Sequence, residues 1–380
     1  MILGALSDVC EVTMGQAPPG DSYNDTGEGV PLIAGAGDFG NGRLAPKKFT
    51  TAGTKFSSAG DIVLSIRASI GDKVWADGSY CLGRGVAGLR AGSQLEPRYL
   101  WHWLGAVEPE LLSKARGATF LQVNRTDIAE LVIALPELDE QRRIASILDK
   151  ADTLRAKRRE ALARLDTLSQ SIFHEMFGDP LANARGWEIA SLPDVAKLYS
   201  GGTPSKDVKE YWNGSLPWFS PKDLKADHLT DSIDHISNEV LSQTSLRLLP
   251  EGTVVFVVRG MILAHSFPVS LLQVPATINQ DLKAVLPKVE LDPYFLLANL
   301  KSQKSSVLAH VATAAHGTKR LDAEALAMIR VLLPPVELQQ QFAGRVAAVE
   351  RLKGKHRAQL ADLDMLFAAL QDKAFKGELS

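Results

Sequence analysis

The sequence contains two copies of one pattern, and this repeat constrains the fold more than any other feature. The segment Pro-Glu-Leu-Asp-Glu-Gln that begins at Pro136 is matched 198 residues later by Pro-Pro-Val-Glu-Leu-Gln from Pro334. Apolar positions continue at the same spacing without a gap, as far as Phe177 and Phe375. The regions before these segments also correspond, with small shifts in spacing. The chain is therefore predicted to form two related units, each a globular part followed by a long helix.

Each globular part is predicted to mix strands and helices. Short apolar runs rich in β-branched residues at 62–66 and 254–258 indicate buried strands. Pro97 and Pro293 each follow an acidic residue and precede an apolar run, which is typical of the first turn of a helix. The predicted fold class is α+β, with two tandem domains of similar fold, each followed by a long α-helix.

The two long helices are predicted from heptad-like apolar spacing between residues 144 and 176 and between 342 and 374. A helix of about 42 residues is about 60 Å long at about 1.5 Å per residue. Such a helix must bury its apolar stripe against another element. The other long helix is the expected partner.

Composition limits the classes of function. The formal net charge is -2, which disfavours a general, non-specific DNA coat but leaves room for a local basic face. The two cysteines, Cys10 and Cys81, have neither metal-ligand spacing nor a disulfide framework. No apolar run reaches the ~20 residues that span a bilayer, and the N-terminal residues do not resemble a secretory signal. A cytoplasmic protein without a metal site or a membrane partner is predicted.

Three segments carry a resemblance to a known family. Residues 135–145 read Leu-Pro-Glu-Leu-Asp-Glu-Gln-Arg-Arg-Ile-Ala, residues 201–205 read Gly-Gly-Thr-Pro-Ser, and residues 218–224 read Trp-Phe-Ser-Pro-Lys-Asp-Leu. Their duplicated order resembles the specificity subunit of type I restriction–modification systems over nearly the whole chain. The first copy departs from the pattern with Ala-Gly-Ala-Gly-Asp at 34–38, and the second reads Leu338-Gln339 where the family favours Glu-Gln.

The resemblance implies an organisation and a function. Residues 1–135 and 179–333 would be target recognition domains, and residues 136–178 and 334–380 would be spacer helices that form an antiparallel coiled coil. Each domain would read one half of a split site on double-stranded DNA. The helices would set the gap between the half-sites and dock two methyltransferase subunits, with restriction subunits as further partners. The chain itself would be non-catalytic and hold no cofactor, because S-adenosylmethionine is expected on the methyltransferase subunits.

Candidate DNA contacts are lysines, arginines and polar side chains on predicted loops, since these groups bind phosphates and base edges. In the first copy they are Lys47, Lys48, Arg67, Arg84, Arg116, Asn124 and Arg125. In the second copy they are Ser205, Lys206, Lys222, Lys225, Arg259, Lys319 and Arg320. Arg67 and Arg259 stand out because both follow the same predicted strand. Each either contacts DNA or caps the strand end by pairing with a carboxylate.

Charged residues interrupt both helix seams, at Arg155 and Arg158 in the first helix and at Lys353 and His356 in the second. One interpretation is a basic surface over the DNA between the half-sites. The other is that these side chains lie along the coiled coil with their charged ends in water, while the seam shifts locally to Leu154 and Leu352.

Other classes of function compete with DNA readout. A duplicated coiled-coil scaffold that binds only protein partners is the alternative to DNA readout. The run Gly-Ala-Gly-Asp-Phe-Gly at 35–40 matches a dinucleotide-binding pattern, but turn residues follow it where that pattern requires a helix. The sequence also lacks the nucleophile-elbow and phosphate-loop motifs, so an enzyme fused to its own recognition domain is disfavoured.

Overall fold

A computed structural model describes residues 2–40, 42–313 and 317–379 of the chain. The chain divides into two compact units. Unit 1 comprises Met1–Arg159 with Ala358–Ser380, and unit 2 comprises Glu160–Arg357. Unit 1 is therefore formed by two separate segments of sequence, whereas unit 2 is one continuous segment, and each unit contains part of both long helices. Over the described ranges, the chain has no helix with the length and apolarity needed to cross a bilayer.

In its described residues, unit 1 contains twelve short strands, four short α-helices and parts of two long ones. Its strands are β1 (Ile2–Ala5), β2 (Cys10–Met14), β3 (Tyr23–Asn24), β4 (Val30–Ile33), β5 (Phe39–Gly40), β6 (Arg43–Leu44), β7 (Lys48–Thr50), β8 (Ile62–Ser65), β9 (Lys73–Trp75), β10 (Cys81–Leu82), β11 (Val86–Ala91) and β12 (Val132–Leu135). Its helices are α1 (Leu6–Val9), α2 (Pro97–Ala106), α3 (Glu108–Ser113), α4 (Arg125–Ala129) and the first part of α5 (Leu138–Phe177).

Unit 2 repeats this plan. Its strands are β13 (Ile189–Ser191), β14 (Ala196–Ser200), β15 (Leu216–Phe219), β16 (His228–Leu229), β17 (Asp234–Ile236), β18 (Val254–Val257), β19 (Val269–Leu272), β20 (Thr277–Ile278), β21 (Leu282–Pro287), β22 (Ala312–Thr313), β23 (Lys319–Arg320) and β24 (Arg330–Leu332). Its helices are α6 (Leu192–Val195), α7 (Val240–Gln243), α8 (Pro293–Ser302), α9 (Lys304–Ala309), α10 (Ala323–Ala327) and the first part of α11 (Val336–Lys376), and it also contains the end of α5.

The two units share their sheet order. The central sheet runs β2-β11-β8-β9 in unit 1 and β14-β21-β18-β19-β16 in unit 2. The strands predicted from the apolar runs, β8 and β18, are central and buried at every residue. A continuous apolar run, rather than an alternating one, is what burial on both faces requires. A second sheet in each unit contains one parallel pair, β4 with β10 and β15 with β20.

A buried glutamine at the start of each long helix ties that helix to its globular part. Gln141 accepts a hydrogen bond from the Glu96 backbone at 2.8 Å and donates to the Pro136 carbonyl at 2.9 Å. Gln339 makes the same contacts with the Asp292 backbone and the Pro334 carbonyl, both at 2.9 Å. Each glutamine thus holds the residue that precedes the first turn of α2 or α8. The glutamine recurs in both copies, although a leucine precedes it in the second, and in both this side chain satisfies buried backbone groups.

Candidate nucleic-acid interface

A short closed loop follows the α3 region of unit 1 and lies beside Arg67. The backbones of Arg116 and Gln122 exchange two hydrogen bonds, of 3.0 and 2.9 Å, which close the loop of residues 117–121. Gly117 adopts φ 146°, and a side chain there would collide with the Phe120 carbonyl. Glycine is therefore required for this turn.

The loop is attached to the chain that leaves β8. The Ala68 backbone donates to the Leu121 carbonyl at 3.1 Å, and the Val123 backbone donates to the Ile66 carbonyl at 3.0 Å. The Arg67 guanidinium lies over the Phe120 ring, 5.2 Å from its centroid. The fold thus brings together Arg67 and Arg116, which are 49 positions apart in the sequence.

Unit 2 contains the equivalent attachment. The Gly260 backbone donates to the Lys319 carbonyl at 2.9 Å, and Arg259 forms a β-bridge with Arg320. Three candidate cations therefore meet at the end of β18. The Lys319 ammonium donates to the Thr313 hydroxyl at 2.8 Å, across the β22–β23 hairpin. Residues 314–316 of this hairpin region lie outside the described residues.

The two strand-end arginines have different partners. Arg259 donates to the Asp281 carboxylate at 2.6 Å, which is the pairing that the strand-cap interpretation predicts. About half of the Arg259 side chain stays exposed, so this ion pair is only partly shielded from water. Arg67 instead stacks on Phe120. The sequence treats the two arginines as equivalent, but the side chains around them differ.

The Ser-Pro-Lys-Asp segment of unit 2 forms a carboxylate-braced turn. Asp223 accepts hydrogen bonds from the Ser220 backbone at 2.8 Å and its hydroxyl at 2.9 Å. The other oxygen of Asp223 accepts from the Ile233 backbone at 2.9 Å. Lys222, at the tip of this turn, donates to Asp234 at 2.6 Å. The turn therefore holds one candidate cation in a defined position.

The glycine-rich segment of unit 1 contains the counterpart of that turn. Asp38 accepts a hydrogen bond from the Ala34 backbone at 2.8 Å, as Asp223 does from Ser220. Residues 36–38 form a single 3₁₀ turn, and the two-residue strands β5 and β6 follow it. The glycine run thus closes a turn and does not open the helix that a dinucleotide-binding loop requires.

A cavity of about 780 Å³ in unit 2 lies beside Lys222. Its walls include the candidate Lys206 together with Lys209, Trp212 and His235. The Trp212 indole donates to the Ser205 carbonyl at 3.1 Å, which positions that candidate serine next to the cavity. The wall also includes Asp234, whose carboxylate pairs with Lys222. The two other lysines and the aromatic wall suit an anionic, ring-containing ligand such as a nucleotide.

The remaining candidates have varied surroundings. Asn124 caps α4, accepting a hydrogen bond from the Asp127 backbone at 3.0 Å, and Arg116 pairs with the Asp127 carboxylate at 3.3 Å. Lys48 lies 6.0 Å from the Tyr23 ring centroid. Several candidate side chains are exposed: Lys47, Arg84, Arg125, Ser205, Lys206 and Lys225.

Sequence reasoning missed several residues of these surfaces. Lys209, Trp212 and His235 lie in the cavity wall, but nothing in their spacing links them to Lys222. His235 contacts Asp231 at 2.7 Å, and this hydrogen bond lowers the pKa of the Asp231 carboxyl from its usual value. Phe120 is 54% exposed beside Arg67. The sequence signal that could have identified Phe120 is an aromatic residue three positions after a glycine, in a short loop.

In unit 1, the charged break in the helix seam contains an interhelix ion pair. Arg155 of α5 donates to Asp364 of α11 at 2.6 Å and to Asp152 at 2.7 Å. Its guanidinium also lies 4.3 Å from the centroid of the Phe367 ring. The Arg155 side chain is only 18% exposed. It is therefore an interhelix contact within unit 1.

In unit 2, the repeat-equivalent residues make the equivalent pair. Lys353 of α11 lies 2.9 Å from Asp166 of α5 and 3.0 Å from Glu350. Lys353 follows Arg155 by 198 positions, and Asp364 follows Asp166 by the same number. Burial lowers the pKa of Lys353, but its hydrogen bonds to the two carboxylates outweigh that effect and leave the pKa raised. The break in each seam thus contains an ion pair that joins the two helices.

Neither sequence interpretation of the break described these two side chains correctly. Arg155 and Lys353 neither form an open basic surface nor extend their charged ends into water, because each is paired inside its unit. The seam does not shift to Leu154 and Leu352, which are 52% and 43% exposed. The error arose because helical spacing shows which positions interrupt the stripe but not which carboxylates face them.

Exposed apolar residues recur at equivalent positions on the helices. Leu154 and Leu352 are one such pair, and Leu168 and Leu366 are another, each pair separated by 198 positions. Unit 1 contains Leu154 and Leu366, and unit 2 contains Leu352 and Leu168. Each unit therefore exposes the same two leucine positions on its helices.

Among the residues that the structure describes, no three or more His, Cys, Asp or Glu side chains are grouped as a metal ion would require. Cys10 and Cys81 are both buried thiols. Burial raises the pKa of Cys10 to about 12, so it stays a neutral thiol at physiological pH.

Comparison with known proteins places these features in a family. The sequence profile described as "Type I restriction modification DNA specificity domain" matches residues 3–164 and again residues 184–361. The specificity subunit of the type I restriction enzyme EcoR124I/EcoR124II from Escherichia coli is 30% identical over 254 residues, which are 64% of this chain and 61% of that protein. The putative MjaX specificity subunit from Methanocaldococcus jannaschii is 32% identical over 165 residues, 43% of this chain and 39% of that protein. The matches thus span less than two thirds of either relative.

Solved structures share the fold over the full length. An S subunit of a type I restriction–modification system from M. genitalium has a TM-score of 0.57 at 15% identity, covering 98% of this chain and 96% of that one. A chain from a study of complex assembly and conformational transition in the type I system has a TM-score of 0.62 at 20% identity, covering 100% and 98%. At these identities the likeness concerns the fold alone.

Proposed function

The chain belongs to the family of type I restriction–modification DNA specificity proteins, and on this premise we propose that it selects a two-part DNA sequence for the enzyme complex in which it works. The observation that carries the proposal is the repeated attachment of a loop to the end of β8 and of β18. Both attachments present arginine beside the loop, but the loop residues differ. Two similar modules with different contact residues are suited to two different half-sites.

The loop chemistry supports non-identical readout. In the first copy the loop ends Phe120-Leu121-Gln122, and in the second the equivalent positions are Thr318-Lys319-Arg320. Gln and Arg favour different bases, since glutamine pairs with adenine and arginine with guanine. We propose that these loops contact base edges and that the exposed lysines and arginines around them bind phosphates.

The catalytic steps are proposed to belong to partner subunits. The chain would supply DNA recognition, and the methyltransferase subunits would supply S-adenosylmethionine and methyl transfer. The segments 136–178 and 334–380 would form the spacer on which those subunits, and a restriction subunit where one is present, assemble. The exposed leucines at equivalent positions of the two helices support two docking sites, one for each methyltransferase copy. Each unit exposes the same two leucine positions, which gives each one the same apolar surface.

Charge substitution at these leucines tests the docking proposal. Leu154→Glu should remove one methyltransferase copy from the complex, Leu352→Glu the other, and the double variant both, because burying a carboxylate in an apolar contact is costly. Since both side chains are exposed, folding stability should change by less than about 0.5 kcal/mol. Native mass spectrometry of the assembled complex would count the copies. Leu112→Glu, at an exposed leucine outside the long helices, is the control, and two copies bound to the double variant would refute the docking sites.

The proposed function is tested by methylome sequencing of cells with and without the gene. We expect modified adenine at one split motif, lost on deletion and restored by the wild-type gene. Replacing the closed loop of residues 116–122 by residues 312–320 of the second copy should alter one half of the motif and preserve the other. A methylome that is unchanged by deletion would contradict DNA selection and favour a scaffold that binds only proteins.

A further inference from the structure

The loop of residues 117–121 in unit 1 exposes two adjacent apolar side chains among cations. Phe120 is 54% exposed and Leu121 is 50% exposed. Arg67 covers one side of the Phe120 ring, Arg116 lies at the base of the loop, and exposed Arg125 begins the nearby α4. An apolar tip surrounded by positive charge needs a ligand that is anionic overall and apolar at one point.

The nearby acid, Asp127, offsets one of the three cations. Asp127 is buried, and its carboxylate accepts hydrogen bonds from the Asn124 backbone at 2.8 Å and from Arg116 at 3.3 Å. Arg67 and Arg125 keep the surface around the apolar tip positive. An apolar protein surface without acidic groups would leave these cations unpaired. The major groove of DNA offers both an apolar group and negative charge, because the thymine 5-methyl group lies there between the phosphate backbones.

The loop is also shaped to present Phe120 in one position. Two hydrogen bonds close it at Arg116 and Gln122, and two more attach it to the end of β8. Because Arg67 lies over one face of the ring, only the other face and the edge are free. A side chain that inserts between base pairs needs both faces. The geometry therefore favours an apolar contact with a base edge over insertion into the base stack.

We propose that Phe120 reads a thymine in the half-site of unit 1 by packing its free face against the 5-methyl group, with Arg67 as the residue that positions the ring. This inference rests on the proposed function. The second copy has Thr318 at the equivalent position. Threonine has no ring, so unit 2 would not offer a thymine the same aromatic face through this loop position. The contact would distinguish the two half-sites.

A deoxyuridine scan tests the inference on the complex of the full chain with its methyltransferase. Each thymine of the split motif is replaced in turn by deoxyuridine, which removes only the methyl group. At one position in one half-site, affinity should fall about fourfold, the equivalent of one buried methyl group at about 0.8 kcal/mol. For Phe120→Ala the same replacement should have no effect, whereas Phe120→Leu should retain part of it. Leu112→Ala, at an exposed leucine of α3 outside the loop, is the control and should keep the full wild-type response.

Other outcomes overturn the inference and separate it from the proposed function. A wild-type complex that binds its split motif but responds to no deoxyuridine would reject the thymine contact alone. A Phe120→Ala complex with the wild-type response would reject Phe120 as the reader. Increased fluorescence of 2-aminopurine beside the site, lost in Phe120→Ala, would show insertion into the stack instead. Absence of any split motif would remove the proposed function as well. Unchanged melting temperature of Phe120→Ala would exclude misfolding as the cause of a lost response.

Discussion

Phe342→Ala should lower the free energy of unfolding by about 3–5 kcal/mol, the cost of removing a large aromatic side chain from a packed interior. Phe342 is fully buried near the start of α11. Its ring centroid lies 5.8 Å from that of Phe173 and 5.6 Å from that of Phe177, both on α5. The substitution therefore leaves a cavity where the two helices meet inside unit 2.

Urea denaturation followed by circular dichroism would measure this loss, and hydrogen exchange would locate it. Exchange should increase around residues 173–177 and in the first turns of α11. Met365→Ala is the control on the same helix, because Met365 is 65% exposed and its removal should change stability by less than about 0.5 kcal/mol. A loss below about 1 kcal/mol for Phe342→Ala would mean that the aromatic cluster is not what joins the helices.

Lys353→Glu should destabilise unit 2 by about 3 kcal/mol, because it replaces a buried cation by a third carboxylate beside two others. The Lys353 side chain is 6% exposed, whereas its partner Asp166 is 60% exposed. Water around Asp166 screens part of the repulsion, so the loss should lie at the lower end of the range for broken buried pairs. The double variant Lys353→Glu/Asp166→Lys should recover part of the stability by restoring one pair.

A double-mutant cycle would measure this coupling. Arg155→Glu with Asp364→Arg provides the matched cycle in unit 1, at the repeat-equivalent positions. Single and double variants that lose the same stability would show that the pair contributes nothing specific to helix pairing.

The pH dependence of the Lys353 contribution has a definite sign. Its pKa in the folded protein is raised above the ordinary value of 10.5. The stabilisation is therefore complete below pH 10.5 and is lost as the pH rises through the raised pKa. The stability difference between wild type and Lys353→Met should accordingly be constant near neutral pH and change only in strong base.

Much of the fold could be predicted from the sequence because the signals for it are local. The apolar runs that became β8 and β18, the prolines that begin α2 and α8, and the heptad spacing of α5 and α11 each depend on neighbouring residues. The repeat then implied two units of similar fold. A repeated proline and glutamine marked both helix starts, although the role of Gln141 and Gln339 as buried anchors became evident only from the structure.

The candidate site was less accessible to this reasoning. The neighbouring sequence does not show whether a lysine or arginine on a loop is paired with a carboxylate. Arg84 is exposed and Lys222 is paired with Asp234, yet both are simply cations on loops in the sequence. The sequence grouped Arg67 with Arg259 because both follow the same strand. Their different partners, Phe120 and Asp281, come from segments that the fold brings in.

The sequence alone determined the duplication, the class of the elements at β8, β18, α2, α8, α5 and α11, and the family, because periodicity and repeated motifs record which residues are buried along one segment. Only the tertiary structure decided that each compact unit takes part of both long helices, and that Arg155 meets Asp364 while Lys353 meets Asp166. Such contacts join residues roughly half the chain apart, and helical spacing does not contain the register in which two distant helices pair. That register depends on packing and charge pairing across the fold.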